Sequence, residues 1–335
     1  MPQNIHDLTT PALLIDRAAL EHNLDTMSRA LPGARLRPHV KAHKCSALAR
    51  RQFERGHRGF TCATIRELEG LAAAGLGEDL LLANEIVDPR QTARIGRLLE
   101  QGARVLVAVD SAATIDAAAT GGVREVLIDI NVGLPRCGCA PEQAGGLAEL
   151  ARARGLEVRG VMGYEGHAVG IDDRAKREAL CGDAMEKLAS AHRAVGGDIV
   201  SAGGTGTFDC NAVASEIQAG SYALMDTAYA KLGLDFRQAL FVWSTIVSVS
   251  DSYAVADCGL KSLGMDHGNP TIDDAAIWFC SDEHTTFAPA VSVEPGARIR
   301  VLPAHVDPTV AYHEAFHLVE GDAVIDRWPI DLRGW

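Results

Sequence analysis

The feature that most constrains the fold is a regular alternation of short apolar runs with longer stretches rich in Ala, Leu, Arg and Glu over residues 36–222. The apolar runs predict strands at residues 36–42, 59–64, 79–84, 104–110, 126–132, 157–165, 199–204 and 216–222. The stretches between them predict helices at residues 46–55, 65–74, 89–101, 112–120, 141–153 and 173–195. Repeated strand–helix units of this number fit a closed parallel barrel better than an open sheet. An open doubly wound sheet is the alternative, but no Gly-x-Gly-x-x-Gly segment follows the first strand.

After about residue 235 the pattern changes to short strands bounded by Gly, Pro and Asp, at residues 242–249, 252–257, 275–280, 297–301 and 323–329. Helical periodicity is nearly absent there, which predicts a separate β-domain. A further strand at residues 10–16 precedes the barrel and is expected to pair with that domain. We therefore predict an N-terminal segment at residues 1–20, an α/β barrel of the (β/α)8 TIM-like type at 21–234 and a C-terminal β-domain at 235–335.

Charge and composition narrow the class of partner. Lys and Arg number 32 against 44 Asp and Glu, and the net charge of -12 argues against nucleic acid or an anionic membrane as a partner. No apolar stretch approaches the ~18 residues of a membrane span, and no signal-peptide pattern is visible at the N-terminus. The eight cysteines include no Cys-x-x-Cys pair. Reduced thiols in a cytoplasmic protein are the expectation.

The segment 37–44 (RPHVKAHK) follows the first predicted strand and carries the strongest chemical signal of the barrel. Loops after the strands of a parallel barrel converge on one face, so Lys41 is expected at the rim of a pocket with an apolar wall. A lysine that loses solvation there can act as a neutral nucleophile towards an aldehyde. Lys41 is therefore a candidate Schiff-base lysine for pyridoxal phosphate. A basic loop with solvated lysines is the alternative that this segment alone leaves open.

Later strand ends carry further polar groups. The segment 203–207 (GGTGT) suits an anion, because glycines let backbone N–H groups approach a phosphate and threonines add donors. Arg136, after the fifth strand, is a candidate cation for a cofactor ring or a substrate carboxylate, and a surface arginine in a turn is the alternative. Tyr164 and His167, after the sixth strand, are candidates for stacking, donation or acid–base work, although a structural tyrosine is the ordinary case.

A candidate metal pair lies far downstream, at His305 and Asp307. In extended backbone, residues i and i+2 point the same way, so the imidazole and the carboxylate would be directed to one point. This donor pair suits Mn²⁺, Zn²⁺ or a similar divalent ion. The bare pattern His-x-Asp is common and carries little weight alone.

Taken together, these segments resemble one family closely, the metal-activated, pyridoxal-phosphate-dependent D-threonine aldolase and D-serine dehydratase family. The parent fold of this family is that of alanine racemase, fold type III. The resemblance covers nearly the whole chain and rests on residues 37–44, 163–167 (GYEGH), 203–207, 216–222 (EIQAGSY) and the pair of His305 and Asp307. The sequence YEGH at 164–167 departs from the tyrosine-histidine-glycine pattern of the best-known aldolases.

The resemblance implies a role for each matching residue. Lys41 would be the Schiff-base lysine, Arg136 and Tyr164 would lie around the cofactor ring, and His305 and Asp307 would be the metal ligands. The residues that match segments holding the cofactor phosphate are Gly204, Thr205, Gly220, Ser221 and Tyr222. Dehydratase-like members often have a thiolate ligand where this chain has Asp307. The harder carboxylate favours an aldolase, and Mn²⁺ or Mg²⁺ over Zn²⁺.

The implied reaction is cleavage of a β-hydroxy-D-amino acid such as D-threonine to glycine and an aldehyde. The metal would acidify the β-hydroxyl as a Lewis acid, the cofactor would be the electron sink, and His167 is the candidate base. The main alternative is dehydration of D-serine or 3-hydroxy-D-aspartate to a 2-oxo acid and ammonia, with Lys41 removing the α-proton. An amino-acid racemase, which would need a second base, and a non-catalytic pyridoxal-phosphate-binding protein are further alternatives.

The family also implies a homodimer in which the partner subunit helps to close each active site. Residues 266–269 and 281–286 are the loop segments expected to serve the neighbouring site.

Overall fold

The computed structural model describes residues 4–335, so residues 1–3 of the predicted N-terminal segment lie outside the described residues. The strands are β1 (Ala12–Asp16), β2 (Phe60–Cys62), β3 (Leu80–Leu82), β4 (Val105–Val109), β5 (Glu125–Asp129), β6 (Glu157–Gly163), β7 (Ile199–Ala202), β8 (Glu216–Ile217), β9 (Leu240–Val249), β10 (Ala254–Ala256), β11 (Ala275–Cys280), β12 (Thr285–Pro289), β13 (Arg298–Val301), β14 (Ala315–Glu320) and β15 (Ala323–Pro329). The α-helices are α1 (Arg17–Ala30), α2 (Ser46–Glu54), α3 (Ile65–Ala73), α4 (Pro89–Glu100), α5 (Ala112–Thr120), α6 (Ala144–Ala153), α7 (Arg174–Val195), α8 (Thr227–Ala230) and α9 (Val306–Tyr312). Within residues 4–335, no helix combines the length and the apolar character that a membrane span requires.

The chain divides into two compact units, and one of them, the barrel unit, comprises Met27–Lys41, Leu48–Gly220 and Leu332–Trp335. Its strands β2 to β8 form a parallel sheet in sequence order. Helices α3 to α7 each follow one strand, so successive parallel strands are joined by helical crossovers. Strands β3 and β4 are apolar throughout and fully buried, as expected where helices cover a parallel sheet. This is the sheet of the predicted (β/α)8 barrel.

The first predicted strand, at residues 36–42, is wrong as a regular strand. Leu36 and His39 each make a single parallel bridge, to Ile217 of β8 and to Thr61 of β2, and Val40–Ala42 forms a 3-10 turn. Pro38 explains the interruption, because it has no N–H to donate to a ladder and only its carbonyl accepts, from Thr61 N at 2.9 Å. The segment nevertheless fills the gap between the first and last strands of the sheet.

The side chain of Arg37 links β8, at one edge of this gap, to Asp79, the residue before β3. Arg37 is 4% exposed, and its guanidinium donates to Glu216 Oε1 of β8 and to Asp79 Oδ2, each at 2.8 Å. Glu216 Oε1 also accepts from Ser201 Oγ of β7 at 2.7 Å. Burial alone would lower the pKa of Arg37, but the charges of Glu216 and Asp79 raise the pKa above its usual range. Gly59 leaves the space for this group, since a Cβ there would lie 2.7 Å from Arg37 Nη1.

The other unit, the β-domain, comprises the residues up to Thr26, Ala42–Ala47 and Ser221–Asp331. Its strands follow the order β11-β12-β10-β9-β1-β14-β15, and β13 pairs with β9. Strand β1 lies between β9, which is antiparallel to it, and β14, which is parallel to it. Strands β12 and β14 were not predicted, because a short apolar run is ambiguous between a strand and a buried helical segment.

The backbone after His305 also differs from its prediction. The extended conformation assumed for His305 and Asp307 holds only at His305, and helix α9 begins at Val306. Asp226 explains the start of this helix, because its buried carboxylate accepts from Val306 N–H at 2.9 Å. The same carboxylate accepts from Tyr229 N–H at 2.9 Å and caps α8. Burial raises the pKa of Asp226.

Arg37→Met should destabilise the protein by about 3–5 kcal/mol, because it leaves the buried charge of Glu216 without its partner. Urea unfolding followed by far-UV circular dichroism measures this change. Arg90→Met is the control, since the Arg90 side chain is 90% exposed, and it should leave the unfolding midpoint unchanged. Equal midpoints for the two variants would contradict a structural role for the Arg37 ion pairs.

Candidate functional site

Tyr164 is the centre of a group of predicted residues at the carboxyl ends of the barrel strands. It directly follows β6. The Lys41 Nζ lies 5.9 Å from the centroid of the Tyr164 ring, and the guanidinium carbon of Arg136 lies 5.5 Å from it. A Cβ at Gly204 would lie 3.4 Å from Tyr164 Cε2, so the ring packs against the backbone of Gly204. The structure thus brings two cations and an aromatic face together.

Lys41 itself stands in the 3-10 turn that ends the barrel-closing segment. It is half-buried, and its neighbours Val40 and Ala42 are fully buried. Its backbone N–H donates to Nδ1 of His39 at 3.4 Å. The side chain of Lys41 therefore emerges between two fully buried apolar residues.

His167 lies in the same loop as Tyr164 and packs against Gly133, beyond β5. A Cβ at Gly133 would lie 2.6 Å from His167 Cε1, and the φ angle of Gly133 is 142°, so a side chain is disfavoured at that position on both counts. Among the described residues, His167 Nδ1 is buried and has no hydrogen-bond partner. A buried imidazole nitrogen without a hydrogen-bond partner makes His167 a candidate for proton transfer.

Glu165, between these two residues, is a feature that the sequence analysis missed. Its carboxylate is fully buried. Oε1 accepts from Thr207 Oγ1 at 2.7 Å and from Asn211 Nδ2 at 3.3 Å, and Oε2 accepts from Gly203 N–H at 3.2 Å. These contacts tie the loop after β7 to the end of β6. The departure of YEGH from the family pattern was the signal that marked this position.

The loop at residues 203–207 has fewer outward donors than its glycine content suggests. The N–H of Gly203 donates to Glu165, and the N–H of Gly204 donates to Thr207 Oγ1 at 3.2 Å. Gly206 is required for packing, because a Cβ there would lie 1.8 Å from the carbonyl oxygen of Val169. The glycines of this loop therefore serve its packing in addition to any role in letting a ligand approach the backbone.

A group of acids that the sequence analysis did not single out lies at the ends of β3 and β5. Burial, together with the negative charge of Glu85, raises the pKa of Asp129 well above its usual range. Burial and a hydrogen bond with Glu85 raise the pKa of Cys137 to about 11. A raised pKa favours the protonated form of a carboxyl group, which can donate a hydrogen bond.

The predicted metal pair lies in the β-domain unit. His305 Nε2 and Asp307 Oδ1 are 4.0 Å apart, and each side chain is 18% exposed. Ser221 Oγ donates to Asp307 Oδ1 at 3.4 Å. Tyr222, in the same 3-10 turn as Ser221, is buried with its ring 5.8 Å from that of Phe236. A nitrogen and a carboxylate oxygen at this separation fit a divalent ion.

Asp266 and His267 also adjoin His305. They were predicted only as members of the loop segment 266–269. Asp266 Oδ2 lies 2.7 Å from His305 Nδ1, and the His267 ring stacks on the His305 ring with centroids 3.9 Å apart. Asp266, His267 and His305 form the group of potential ligands found in the described part of the chain. The adjacent Asp and His before a Gly-Asn-Pro turn were the available signal.

Glu165→Gln should lower the free energy of unfolding by about 1–3 kcal/mol. The carboxylate accepts hydrogen bonds from N–H and O–H groups, and the amide NH2 of glutamine would place a donor opposite some of these donors. Hydrogen exchange should show faster exchange at Gly203, whose N–H loses an acceptor. Glu186→Gln, on the exposed face of α7, is the control and should change neither measurement. Unchanged exchange at Gly203 in Glu165→Gln would show that the carboxylate does not hold the loop.

Comparison with known proteins identifies the family. The family model described as "Alanine racemase, N-terminal domain" matches residues 15–227, and the one described as "Putative serine dehydratase domain" matches residues 239–319. D-threonine aldolase from Arthrobacter sp. is 34% identical over 97% of this chain and 93% of its own length. 3-Hydroxy-D-aspartate aldolase from Paracoccus denitrificans (strain Pd 1222) is 32% identical over 98% of this chain and 93% of its own length.

The solved structures agree with this assignment. The crystal structure of D-threonine aldolase from Filomicrobium marinum superposes with a TM-score of 0.93 at 33% identity, and the match covers 99% of this chain and 97% of that one. The predicted combination of an alanine racemase-type barrel with a C-terminal β-domain is thereby confirmed. The chain belongs to the D-threonine aldolase and D-serine dehydratase family of alanine racemase-like, fold type III proteins.

Proposed function

We propose that the protein is a lyase that cleaves β-hydroxy-D-amino acids of the D-threonine type to glycine and an aldehyde. The match to D-threonine aldolase over 97% of the chain is the observation that carries this proposal. The similarity to 3-hydroxy-D-aspartate aldolase supports the same bond cleavage with a carboxylate as the β-substituent. The substrate class is therefore a small β-hydroxy-D-amino acid.

Pyridoxal 5′-phosphate is the cofactor that the candidate site residues fit. Lys41 would hold it through its amine, and Tyr164 and Arg136 would lie around its ring, in keeping with the cations that adjoin the Tyr164 ring. The residues proposed to hold its phosphate are Gly204, Thr205, Gly220, Ser221 and Tyr222. When bound, pyridoxal phosphate supplies an electron sink for the bond that breaks at Cα of the substrate.

His305 and Asp307 are the proposed ligands of a divalent ion. Their imidazole nitrogen and carboxylate oxygen form a donor set that accepts Mn²⁺, Zn²⁺ or Mg²⁺, and the hard carboxylate favours Mn²⁺ or Mg²⁺ over Zn²⁺. When bound, such an ion supplies Lewis acidity to the β-hydroxyl of the substrate.

His167 is the proposed base for the hydroxyl proton. Its Nδ1 is buried without a partner among the described residues, whereas the carboxylate of Glu165 already accepts from Thr207, Gly203 and Asn211. Transfer of the hydroxyl proton to His167 accompanies cleavage of Cα–Cβ and release of the aldehyde. Delivery of a proton to Cα then completes glycine.

A homodimer is part of the proposal, as the family resemblance implies. Strand β11 exposes Trp278 and Phe279 at 49% and 55%, and Tyr253 adjoins Trp278 with ring centroids 5.4 Å apart. Adjacent exposed aromatic side chains are typical of a surface that another chain covers.

Dehydration of D-serine or 3-hydroxy-D-aspartate is the second candidate, and the match of residues 239–319 to a serine dehydratase domain supports it. In that reaction Lys41 would remove the α-proton, and the β-hydroxyl would leave as water. The products, a 2-oxo acid and ammonia, differ from those of the aldolase. Product analysis therefore separates the two.

With D-threonine and Mn²⁺, the protein loaded with pyridoxal phosphate should form acetaldehyde and not 2-oxobutyrate. The loaded protein should absorb near ~420 nm, and Lys41→Ala should lose both this band and the activity. Dehydrogenase-coupled assays measure the two products separately. Lys176→Ala, an exposed lysine of α7, is the control and should retain the band and the activity.

The products and the absorbance band distinguish the aldolase from the dehydratase and test the cofactor assignment. Metal-dependent 2-oxobutyrate without acetaldehyde would make the protein a dehydratase. Absence of an absorbance band after incubation with pyridoxal phosphate would contradict the cofactor assignment and, with it, both lyase reactions.

His167→Gln should lower kcat for aldol cleavage about 10²–10⁴-fold, because it removes the proposed general base. The absorbance band of the bound cofactor should persist, since the proposal gives His167 no part in holding it. His192→Gln, at a half-buried histidine near the end of α7, is the control and should keep the wild-type kcat. A wild-type kcat in His167→Gln would show that another group is the base.

A further inference from the structure

The two ring nitrogens of His305 face two different carboxylates at different separations. Nδ1 lies 2.7 Å from Asp266 Oδ2, whereas Nε2 lies 4.0 Å from Asp307 Oδ1. A separation of 2.7 Å is that of a charge-assisted hydrogen bond, with the proton on the nitrogen. A separation of 4.0 Å lies within the reach of one shared ion, because bonds from zinc to nitrogen or oxygen are each about 2.0–2.2 Å long.

We propose that Asp266 is a positioning residue that fixes the ring of His305 and its Nδ1–H tautomer, and so directs the Nε2 lone pair towards the metal site. The inference rests on the proposed role of His305 and Asp307 as metal ligands. An imidazole that binds a metal through one nitrogen commonly donates its other N–H to a carboxylate. Without Asp266, the ring could carry its proton on Nε2, where the proton blocks coordination.

The loop that carries Asp266 is attached to the segment that carries His305. Gly264 forms an antiparallel bridge with His305, and Thr271 forms one with Leu302. The buried Thr309 hydroxyl accepts from Gly264 N–H at 2.8 Å and donates to the carbonyl oxygen of His305 at 2.7 Å. The position of Asp266 relative to His305 is therefore set by the backbone on both sides of it, not by the Asp266 side chain alone.

His267 adds a second restraint on the ring of His305. The two rings are stacked with an interplanar angle of 9°. Rotation of His305 about its ring bond would break this stacking as well as the hydrogen bond to Asp266. Stacking on His267 thus fixes the plane of the His305 imidazole, and the contact with Asp266 fixes the direction in which Nδ1 points. Asp307 is the carboxylate on the side of Nε2.

A different ligand set on the same residues is the competing interpretation. Asp266, His267 and His305 offer ligand atoms within 4.8 Å of one another. However, stacked parallel rings direct their nitrogen lone pairs along parallel planes, so the two imidazoles do not converge on one ion. The short contact of Asp266 with His305 also occupies Nδ1. The geometry therefore favours Asp266 as a partner of the ligand over Asp266 as a ligand.

The test measures Mn²⁺ binding to the full chain loaded with pyridoxal phosphate, by electron paramagnetic resonance of free Mn²⁺. Asp266→Ala should raise the Kd for Mn²⁺ about 10–100-fold, as loss of a carboxylate partner of a metal-binding histidine does. Asp266→Asn keeps an oxygen acceptor and should raise the Kd less. Asp273→Asn, an exposed aspartate ahead of β11, is the matched control and should bind Mn²⁺ as the wild type does.

A second measurement reports the tautomer itself. Long-range ¹H–¹⁵N correlation spectra of the metal-free protein should show His305 with its proton on Nδ1, and Asp266→Ala should show a mixture of tautomers. A merely structural role of Asp266 would not change this distribution. Wild-type Mn²⁺ affinity in Asp266→Ala, or an unchanged tautomer, would overturn the proposal.

Variants of the ligands separate this inference from the metal site on which it rests. Asp307→Ala should abolish Mn²⁺ binding at the site, and His267→Ala should retain most of it. If Asp307→Ala binds Mn²⁺ normally while Asp266→Ala and His267→Ala do not, the competing ligand set is correct and the positioning role is overturned. If neither His305→Ala nor Asp307→Ala changes Mn²⁺ binding, the proposed metal site itself is wrong.

Discussion

The buried ion pairs of Arg37 are the interaction on which the barrel unit depends. Strands β2 to β8 form a continuous ladder, but the segment that must close it contains Pro38 and makes only single bridges to its neighbours. Arg37 supplies side-chain contacts to Glu216 of the edge strand β8 and to Asp79, the residue before β3. Since Lys41 follows four residues later in the chain, the position of the proposed nucleophile is set by how this segment is held.

Carboxylates that accept hydrogen bonds perform a comparable task at three further places. Glu165 holds the loop at residues 203–207, Asp226 fixes the first turn of α9, and Asp266 adjoins the ring of His305. In each case the carboxylate accepts from an N–H of a segment that carries candidate site residues. Groups on loops and helix ends reach a defined geometry only when neighbouring polar contacts fix them. The chain therefore uses more acids for positioning than the proposed reaction uses directly.

The sequence predicted those parts of the structure that local patterns determine. The alternation of strands and helices predicted the barrel, and Tyr164 directly follows β6, within 5.9 Å of Lys41 Nζ and 5.5 Å of the guanidinium carbon of Arg136. Contacts between distant residues were not predictable in this way. Glu165 meets Thr207, 42 positions away, and Asp266 meets His305, 39 positions away. Helix α9 was missed for the same reason, because its first N–H is satisfied by Asp226, 80 positions earlier. Pro38, by contrast, stood in the predicted first strand and was a local signal against a regular one.

The choice between aldol cleavage and dehydration depends on which base of the chain is poised to take a proton. Within the GYEGH segment, the Glu165 carboxylate accepts from Gly203 N–H and from the side chains of Thr207 and Asn211, so it holds the loop after β7. His167 is held against Gly133 and keeps a buried ring nitrogen without a partner among the described residues. A base for the hydroxyl proton is what aldol cleavage needs, whereas dehydration needs only a base for the α-proton. The arrangement of this segment therefore favours the aldolase. The carboxylate of Asp307, in the place where dehydratase-like members often have a thiolate, favours the same reaction.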